Sequence, residues 1–281
     1  MTVQEAFLWA RSHPITLSPV HLRRLLSSVT GEPPEFLFTH PFHRVSAHEM
    51  DLFKERVQQL SKGTPLSRLL GEREFWSLPF LLNEDTLDPR ADSECLIEAV
   101  LEHKPDRQSP LRILDLGTGT GCLLIAILSE YPHAEGIGID ISAGALEMAH
   151  MNAQKNLKSD RAQFSLSRWF EKVQGTFDII ISNPPYISTE EYEALDANVR
   201  LHDPKKALVA GKDGLSCYRD IVAKAKKFLK EEGLLILEIG IHQGTLVSDI
   251  LNSHSFTVNS IKKDLSGIER CLVSSYDGGK L

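Results

Sequence analysis

Cysteine is scarce in this chain, and its four copies, Cys95, Cys122, Cys217 and Cys271, stand far apart with no Cys-x-x-Cys pair. That spacing excludes a local zinc knuckle and a dense disulfide framework, and it predicts reduced core thiols in a cytoplasmic protein. Histidines number 11, yet none stands at ligand spacing, and no metal is expected. No stretch approaches the roughly 18 consecutive apolar residues of a membrane span, so no membrane association is expected. The opening "MTVQEAFLWARSHP" has no basic region ahead of an apolar core, and Glu5 and Arg11 interrupt it, so it is not expected to act as a secretory leader. Excess positive charge is missing too. A formal net charge of -7 argues against a surface that grips a phosphate backbone non-specifically and leaves only a local basic cleft for such contacts. Internal repeats and low-complexity tracts are absent.

What is present is an ordinary globular composition: 281 residues, 42% hydrophobic and 25% charged, enough for one large core or two smaller ones. The first third is helical in pattern. Ser18-Pro19 reads as N-cap and first residue of a helix through Leu26, and Ser46 with Glu49 forms a capping box for a helix carrying Met50, Phe53, Val57 and Leu60 on one face, ended by Gly63. Such stripes form a small bundle core, or else a partner-binding surface. From "GEREFWSLPFLL" the pattern turns to strands, with turn residues at Pro79 and Asn83, and predicts a hairpin joining two domains. A helix is expected to open near Asp92. Beyond Leu111 strand and helix alternate through "RILDL", "CLLIAILSE", "EGIGID", "ALEMAHMNAQ", "FDIIIS", "SCYRDIVAKAKKFL" and "GLLILEI". Alternation of this kind predicts an α/β fold, a doubly wound and mostly parallel sheet covered by helices on both faces. The final "FTVNSIKKDLSGIERCLVSSY" holds two strands and a turn, so an antiparallel strand is expected near the C-terminus.

The strand Ile113 to Leu116 runs directly into Gly117-Thr118-Gly119-Thr120-Gly121, with a helix expected from about Cys122. Glycines there permit a tight turn and close approach of a ligand, and a helix N-terminus offers N–H groups to a carboxylate or phosphate. The next strand ends at Asp140, about 20 residues on, where an acid can accept both hydroxyls of a ribose. A dinucleotide fingerprint does not fit: counted from Gly117 its third glycine falls on Cys122, and counted from Gly119 on Leu124. The spacing Asp115-x-Gly117-x-Gly119-x-Gly121 instead resembles the first motif of the S-adenosyl-L-methionine-dependent methyltransferases.

The buried-strand pattern "FDIIIS" ends abruptly in Asn183-Pro184-Pro185-Tyr186, where two successive residues lack a backbone N–H. In a doubly wound sheet this places Asn183 at the carboxyl edge, near the glycine loop. An amide or nucleobase NH2 is a poor nucleophile because its lone pair is conjugated. Two acceptors, the Asn183 side-chain oxygen and the Pro184 carbonyl, would hold such a nitrogen in line for methyl transfer and stabilise the positive charge growing on it. The prolines stiffen the loop, and Tyr186 offers a flat face for a planar group. No strong base is needed beforehand, since the proton leaves from an already cationic nitrogen.

Glycine loop, ribose acid and Asn-Pro-Pro-Tyr together resemble the signature of amino-group methyltransferases acting on adenine, cytosine or glutamine. Over nearly its full length the chain resembles the peptide chain release factor glutamine methyltransferases. The likeness is carried by "GEREFW", "DPRADSE", "ILDLGTGTG", "GIDIS" with "AHMNA", "SRWF", "ISNPPYI", "DPKKAL", "GKDGL", "GLLILEIG" and "DLSGIER". It implies a seven-stranded Rossmann-like sheet, with residues 1–70 a helical substrate-recognition domain, 71–90 a hairpin linker and 91–281 the methyltransferase domain. It further implies that Gly117, Thr118, Gly119, Thr120, Gly121 and Asp140 bind the cofactor together with Asn183, that Trp169 packs near its adenine, and that Asn183, Pro184, Pro185 and Tyr186 hold the substrate glutamine. The plain alternative for Trp169 is a core aromatic. Some positions depart from the family pattern: Arg168 stands where an acid is usual, Ala91 and Ser93 replace a proline and a threonine, and Asp203 replaces a glutamate. Arg90, Glu94 and Arg200 are further candidates for contacting substrate or bracing the loop.

The function so implied is methyl transfer from S-adenosyl-L-methionine to the glutamine of a Gly-Gly-Gln loop in release factors, a protein partner that suits the acidic balance. The alternatives are the same chemistry on adenine in DNA or RNA or on a ribosomal-protein glutamine, and a catalytically silent cofactor-binding module. The lack of a basic patch and of a base-reading domain speaks against a direct nucleic-acid substrate.

Overall fold

A computed structural model describes residues 1–12, 18–157 and 159–276 of the chain, with the side chains of 197 and 198 also left undescribed. Two compact units divide it, Met1–Glu72 and Arg73–Leu281.

The first unit holds helices α1 (Val3–Arg11), α2 (Pro19–Thr30), α3 (Pro34–Thr39), α4 (Ala47–Ser61) and α5 (Leu66–Leu70). Its helix starts follow local chemistry. Ser18 accepts from the His21 amide ahead of Pro19, and Ser46 and Glu49 cap each other's backbone in a reciprocal box. Helix α2 runs four residues past the expected Leu26, because nothing stops it until Gly31 takes the left-handed conformation, φ 73°. Leu22, Leu25, Leu26, Met50, Phe53 and Val57 are buried together, so the predicted stripes of α2 and α4 form the bundle core. Leu60 is only partly buried.

A two-stranded hairpin follows, β1 (Glu72–Phe75), whose first residue is the last of the first unit, and β2 (Leu78–Leu81). Its turn falls at Trp76 and Ser77, with φ 52° and 57°, and not at Pro79, which lies inside β2. Tertiary bonds hold this turn: the Trp76 amide donates to Glu94 Oε1 at 2.8 Å and its indole Nε1 to Glu130 Oε1 at 2.7 Å.

A 3-10 turn, Ala91–Ser93, leads into α6 (Glu94–His103). Then follow β3 (Arg112–Leu116), α7 (Cys122–Glu130), β4 (Glu135–Asp140), α8 (Ala143–Leu157), β5 (Ala162–Leu166) and β6 (Phe177–Ser182). After them come α9 (Thr189–Ala194), α10 (Ala197–His202), α11 (Ser216–Ala225), β7 (Leu229–Glu238), α12 (Gly244–Ser253), β8 (Thr257–Lys263) and β9 (Glu269–Ser275).

The seven-stranded sheet has the order β5-β4-β3-β6-β7-β9-β8, parallel except for β9, which runs antiparallel to both neighbours. The period-2 alternation of strands explains its two cores. Ile113, Ile179, Ile181 and Ile236 face one layer with α6 and α7, while Leu114, Leu116, Ile180, Leu235 and Leu237 face the other with α11 and α12. Strands buried on both faces read as continuous apolar runs, which is why "FDIIIS" does.

The chain leaves β3 towards β4 and β5 and then returns to β6 on the other side of β3. That reversal opens a crevice at the carboxyl ends of the strands, the position where doubly wound sheets bind ligands.

Candidate active site

Register brings the site together. Leu116 of β3 pairs with Ser182 of β6, and Ser182 with Leu237 of β7. The residues that follow, Gly117, Asn183 and Glu238, therefore stand side by side at the carboxyl edge. Alternation turns them to the face of Ile181 and Ile236, the layer of α6.

A cavity of about 670 Å³ opens at this edge, lined among others by Gly117, Thr118, Gly119, Thr120, Asp140, Trp169, Asn183 and Pro185. Of the residues expected at the site from the sequence, these lie together, whereas Gly121, Pro184 and Tyr186 are not among the lining residues.

The glycine loop is built by its own backbone. The amides of Gly117 and Thr118 both donate to the Ile139 carbonyl, at 2.8 and 2.9 Å, tying the loop to the end of β4. Gly119 has φ 54°, which a side chain would strain, and a Cβ there would meet no atom within 4 Å. Gly121 is needed for space as well: at φ 79°, an added Cβ would lie 2.9 Å from Ile125 Cδ1. Behind the loop, buried Asn152 of α8 donates to the Thr120 carbonyl at 3.0 Å and exchanges bonds with the Leu81 backbone at 2.7 and 3.1 Å. One carboxamide so fixes loop, helix and hairpin, a role that accounts for the "AHMNA" stretch.

Asp140 accepts the Gly119 amide on Oδ2 at 3.0 Å and the Ser142 amide on Oδ1 at 2.8 Å. A carboxylate has about four lone-pair sites, so two remain, one on each oxygen, for a pair of vicinal hydroxyls. Across the cavity the Trp169 ring lies over the loop, 3.8 Å from where a Gly117 Cβ would stand. Trp169 has φ 48°, an uncommon conformation for a bulky residue, and also packs against the second core. Trp169 thus lines the cavity with one part of its surface and packs into the core with another. A flat indole, a diol acceptor and a glycine wall fit a nucleoside whose attached chain lies along the loop.

Arg168 does not reproduce an acid. Its guanidinium pairs with Asp220 of α11 at 3.1 Å, and Asp220 lines the cavity beside it, so the carboxylate at this end comes from α11.

At the other end Arg90 pairs with Asp203 at 2.6 Å, and Lys206 donates to Asp85 at 2.6 Å and to Ser142 at 2.9 Å. The Lys206 hydrogen bond, with that of Ser142, holds the Asp85 carboxyl below its ordinary range. Glu94 braces the hairpin, as above. Arg200 lies 3.8 Å from Glu193 on exposed surface and is not among the lining residues.

In the tetrapeptide, Asn183 donates Nδ2 to the Ser93 hydroxyl at 3.2 Å, which leaves its Oδ1 on the other arm of the carboxamide. Pro184 is buried, and the Tyr186 carbonyl accepts from Gln243 Nε2 at 2.9 Å, so the loop is anchored from the N-cap of α12. Tyr186 is half-buried against the second core and faces Glu238, and burial pushes its pKa up.

Two acids received no role from the sequence, Asp115, which stood there only as the first position of the glycine motif, and Glu238. Burial raises the Asp115 carboxyl to about 7, although Thr118 donates to its Oδ2 at 2.6 Å, and its Oδ1 is buried without a hydrogen-bond partner. Burial likewise raises Glu238 to about 7, against the stabilising pull of Ser93, Arg270 and Tyr186. The available signal was an acid inside or at the end of an apolar strand, "ILDL" and "LLILE". Among the described residues no cluster of metal-ligating side chains occurs, and no helix is long and apolar enough to cross a membrane.

Comparison with known proteins follows the same lines. A family model described as a methyltransferase domain matches residues 107–269, and one described as the PrmC N-terminal domain matches residues 11–71. The chain is 44% identical over 256 residues to a release factor glutamine methyltransferase of Agrobacterium fabrum, covering 90% of this chain and 89% of that one. It is 40% identical over 255 residues to a protein of the same description from Rhodospirillum rubrum, covering 90% and 77%. Among solved structures, a methyltransferase from Pyrococcus furiosus shares the fold with a TM-score of 0.51 at 16% identity, over 79% of this chain and 98% of that one.

Proposed function

The chain belongs to the release factor glutamine methyltransferase family, and from that premise we propose that it methylates the side-chain amide of the glutamine in the Gly-Gly-Gln loop of peptide chain release factors. It is a methyltransferase dependent on S-adenosyl-L-methionine, which when bound supplies a methyl group on a sulfonium sulfur.

The observation that carries this reading is the placing of Asn183. Its carboxamide stands one residue beyond β6, on the cavity wall beside the glycine loop, with Nδ2 engaged by Ser93. A free Oδ1 suits the N–H of a primary amide, and the Pro184 carbonyl is assigned to the second N–H. Two acceptors on one planar nitrogen orient it and favour the cation that forms as the new N–C bond grows. The proton then leaves a nitrogen that is already acidic, so Asn183 and Pro184 serve without acting as bases. The residues of the cofactor wall are assigned by their chemistry: Asp140 to the ribose hydroxyls, the Gly117–Gly121 loop to the amino-acid tail, Trp169 to the adenine.

Release factors are the assigned partners, the helical unit their recognition element, and the cytoplasm, where translation ends, the assigned compartment. A formal net charge of -7 suits a protein substrate better than a nucleic acid. The test is incubation of purified chain and cofactor with a release factor, followed by mass spectrometry of the peptide spanning Gly-Gly-Gln. One added methyl on the glutamine supports the reading. An unmodified peptide, with cofactor bound to the enzyme, overturns it; label on an oligonucleotide would move the assignment to adenine.

A further inference from the structure

Asn183 acts only if its amide oxygen, and not its NH2, faces the substrate, yet the two ends of a carboxamide have nearly the same shape. Something must choose between them. Asn183 Nδ2 donates to Ser93 Oγ at 3.2 Å, and the Ser93 hydroxyl in turn donates to Glu238 Oε2. A hydroxyl has one proton. Once that proton is committed to a carboxylate, Ser93 offers Asn183 only lone pairs, and only the NH2 end can bind there.

We propose that Glu238, acting through Ser93, is a positioning residue that sets the polarity of the Asn183 carboxamide, so that Oδ1 is presented to the amide nitrogen of the substrate. The inference rests on the role given to Asn183 above.

The surroundings are built for this. Ser93 and Glu238 are 3% and 2% exposed, so water does not compete for either group. Glu238 is faced by Arg270 of β9, by Tyr186 of the substrate loop, by the backbone-bound Tyr218 of α11 and by Asp92 of the 3-10 turn. Arg270 is itself held by Asp264 at 3.2 Å and lies 3.9 Å from Asp92. Among these groups Arg270 favours the carboxylate and Asp92 opposes it, and burial leaves Glu238 titrating at about 7.

Protonation reverses the relay. A neutral Glu238 donates to Ser93 Oγ, which frees the Ser93 proton to turn to Asn183, and the inverted carboxamide that receives it is no longer disfavoured. The substrate N–H then meets an N–H. Turnover at saturating substrate should therefore decline as pH falls through about 7, and the decline should depend on Ser93.

The experiment measures kcat on the release factor from pH 5.5 to 8.5 for the full chain and for Ser93→Ala, Ser93→Thr and Glu238→Gln, with S-adenosylhomocysteine affinity measured in parallel. Ser93→Ala is expected to lose about tenfold in kcat at pH 8, the worth of one hydrogen bond, and to lose the acid limb, with affinity for S-adenosylhomocysteine within twofold. Ser93→Thr keeps the hydroxyl and should restore both, and Glu238→Gln should flatten the profile. An acid limb that persists in Ser93→Ala overturns the inference, as does a Ser93→Thr variant no better than alanine, or a loss explained by weaker S-adenosylhomocysteine binding. If the unaltered chain fails to methylate the release factor, the reading of the site falls and this inference with it.

Discussion

The Ser182 hydroxyl donates to the Leu116 carbonyl at 2.6 Å, joining the last residues of two adjacent parallel strands. Those residues are also register partners, so this bond sets the spacing at which Gly117 and Asn183 emerge. Ser182 is fully buried, and removing its hydroxyl leaves no water to replace it. Ser182→Ala should cost about 1 kcal/mol of stability, read from urea unfolding, and should weaken S-adenosylhomocysteine binding. Unchanged values for both would show that the strand ladder alone fixes the spacing.

Asn183→Ala removes the acceptor and leaves the glycine loop intact. Turnover should fall by about a hundredfold or more, the usual cost of one preorganised partner to transition-state charge. Calorimetric affinity for S-adenosylhomocysteine should stay within a few-fold. A variant that turns over normally would remove this side chain from the mechanism.

Asp140 binds two loop amides in addition to its assigned ribose hydroxyls. Asp140→Ala should lower S-adenosylhomocysteine affinity by roughly a hundredfold, since several hydrogen bonds to a charged acceptor are lost together. Affinity for adenine alone should change little, and an equal loss for both ligands would mean that the pocket had collapsed.

Asp115 and Glu238 make stability depend on pH in an unusual direction. Each is raised to about 7 in the folded chain, above the ordinary carboxyl range of the unfolded one. Between about pH 4 and 7 the folded chain holds protons that the unfolded chain has released. Stability from these groups is therefore complete at low pH and lost as pH rises through 7, on the order of 3 to 4 kcal/mol for each. Asp115→Asn should accordingly gain on the parent chain as pH is raised from 5 to 8 in denaturant titrations. A difference that is constant with pH would place the Asp115 carboxyl in its ordinary range.

Much of the architecture was legible in the residues themselves. Ser18 with Pro19 and the Ser46–Glu49 box act within a few residues, and each does what its chemistry requires. The hairpin turn was not legible: Trp76 and Ser77 are poor left-handed residues, held there by Glu94 and Glu130 from distant helices. Strand β5 alternates polar and apolar residues on a sheet edge and carries no apolar run. Helix α12 begins at Gly244, and no side-chain cap announces it.

At the site, the sequence alone determined the glycine turn, the acid that ends the next strand and the stiff Asn-Pro-Pro-Tyr exit, because each is a matter of backbone torsion and neighbouring residues. Only the tertiary structure decided that Ser93 lies against Asn183, 90 residues away, and against Glu238, 145 residues away. Those contacts follow from the register of β6 and β7, set by burial of both sheet faces, and from the packing of the Ala91–Ser93 turn against the same sheet. No stretch of sequence contains that information by itself.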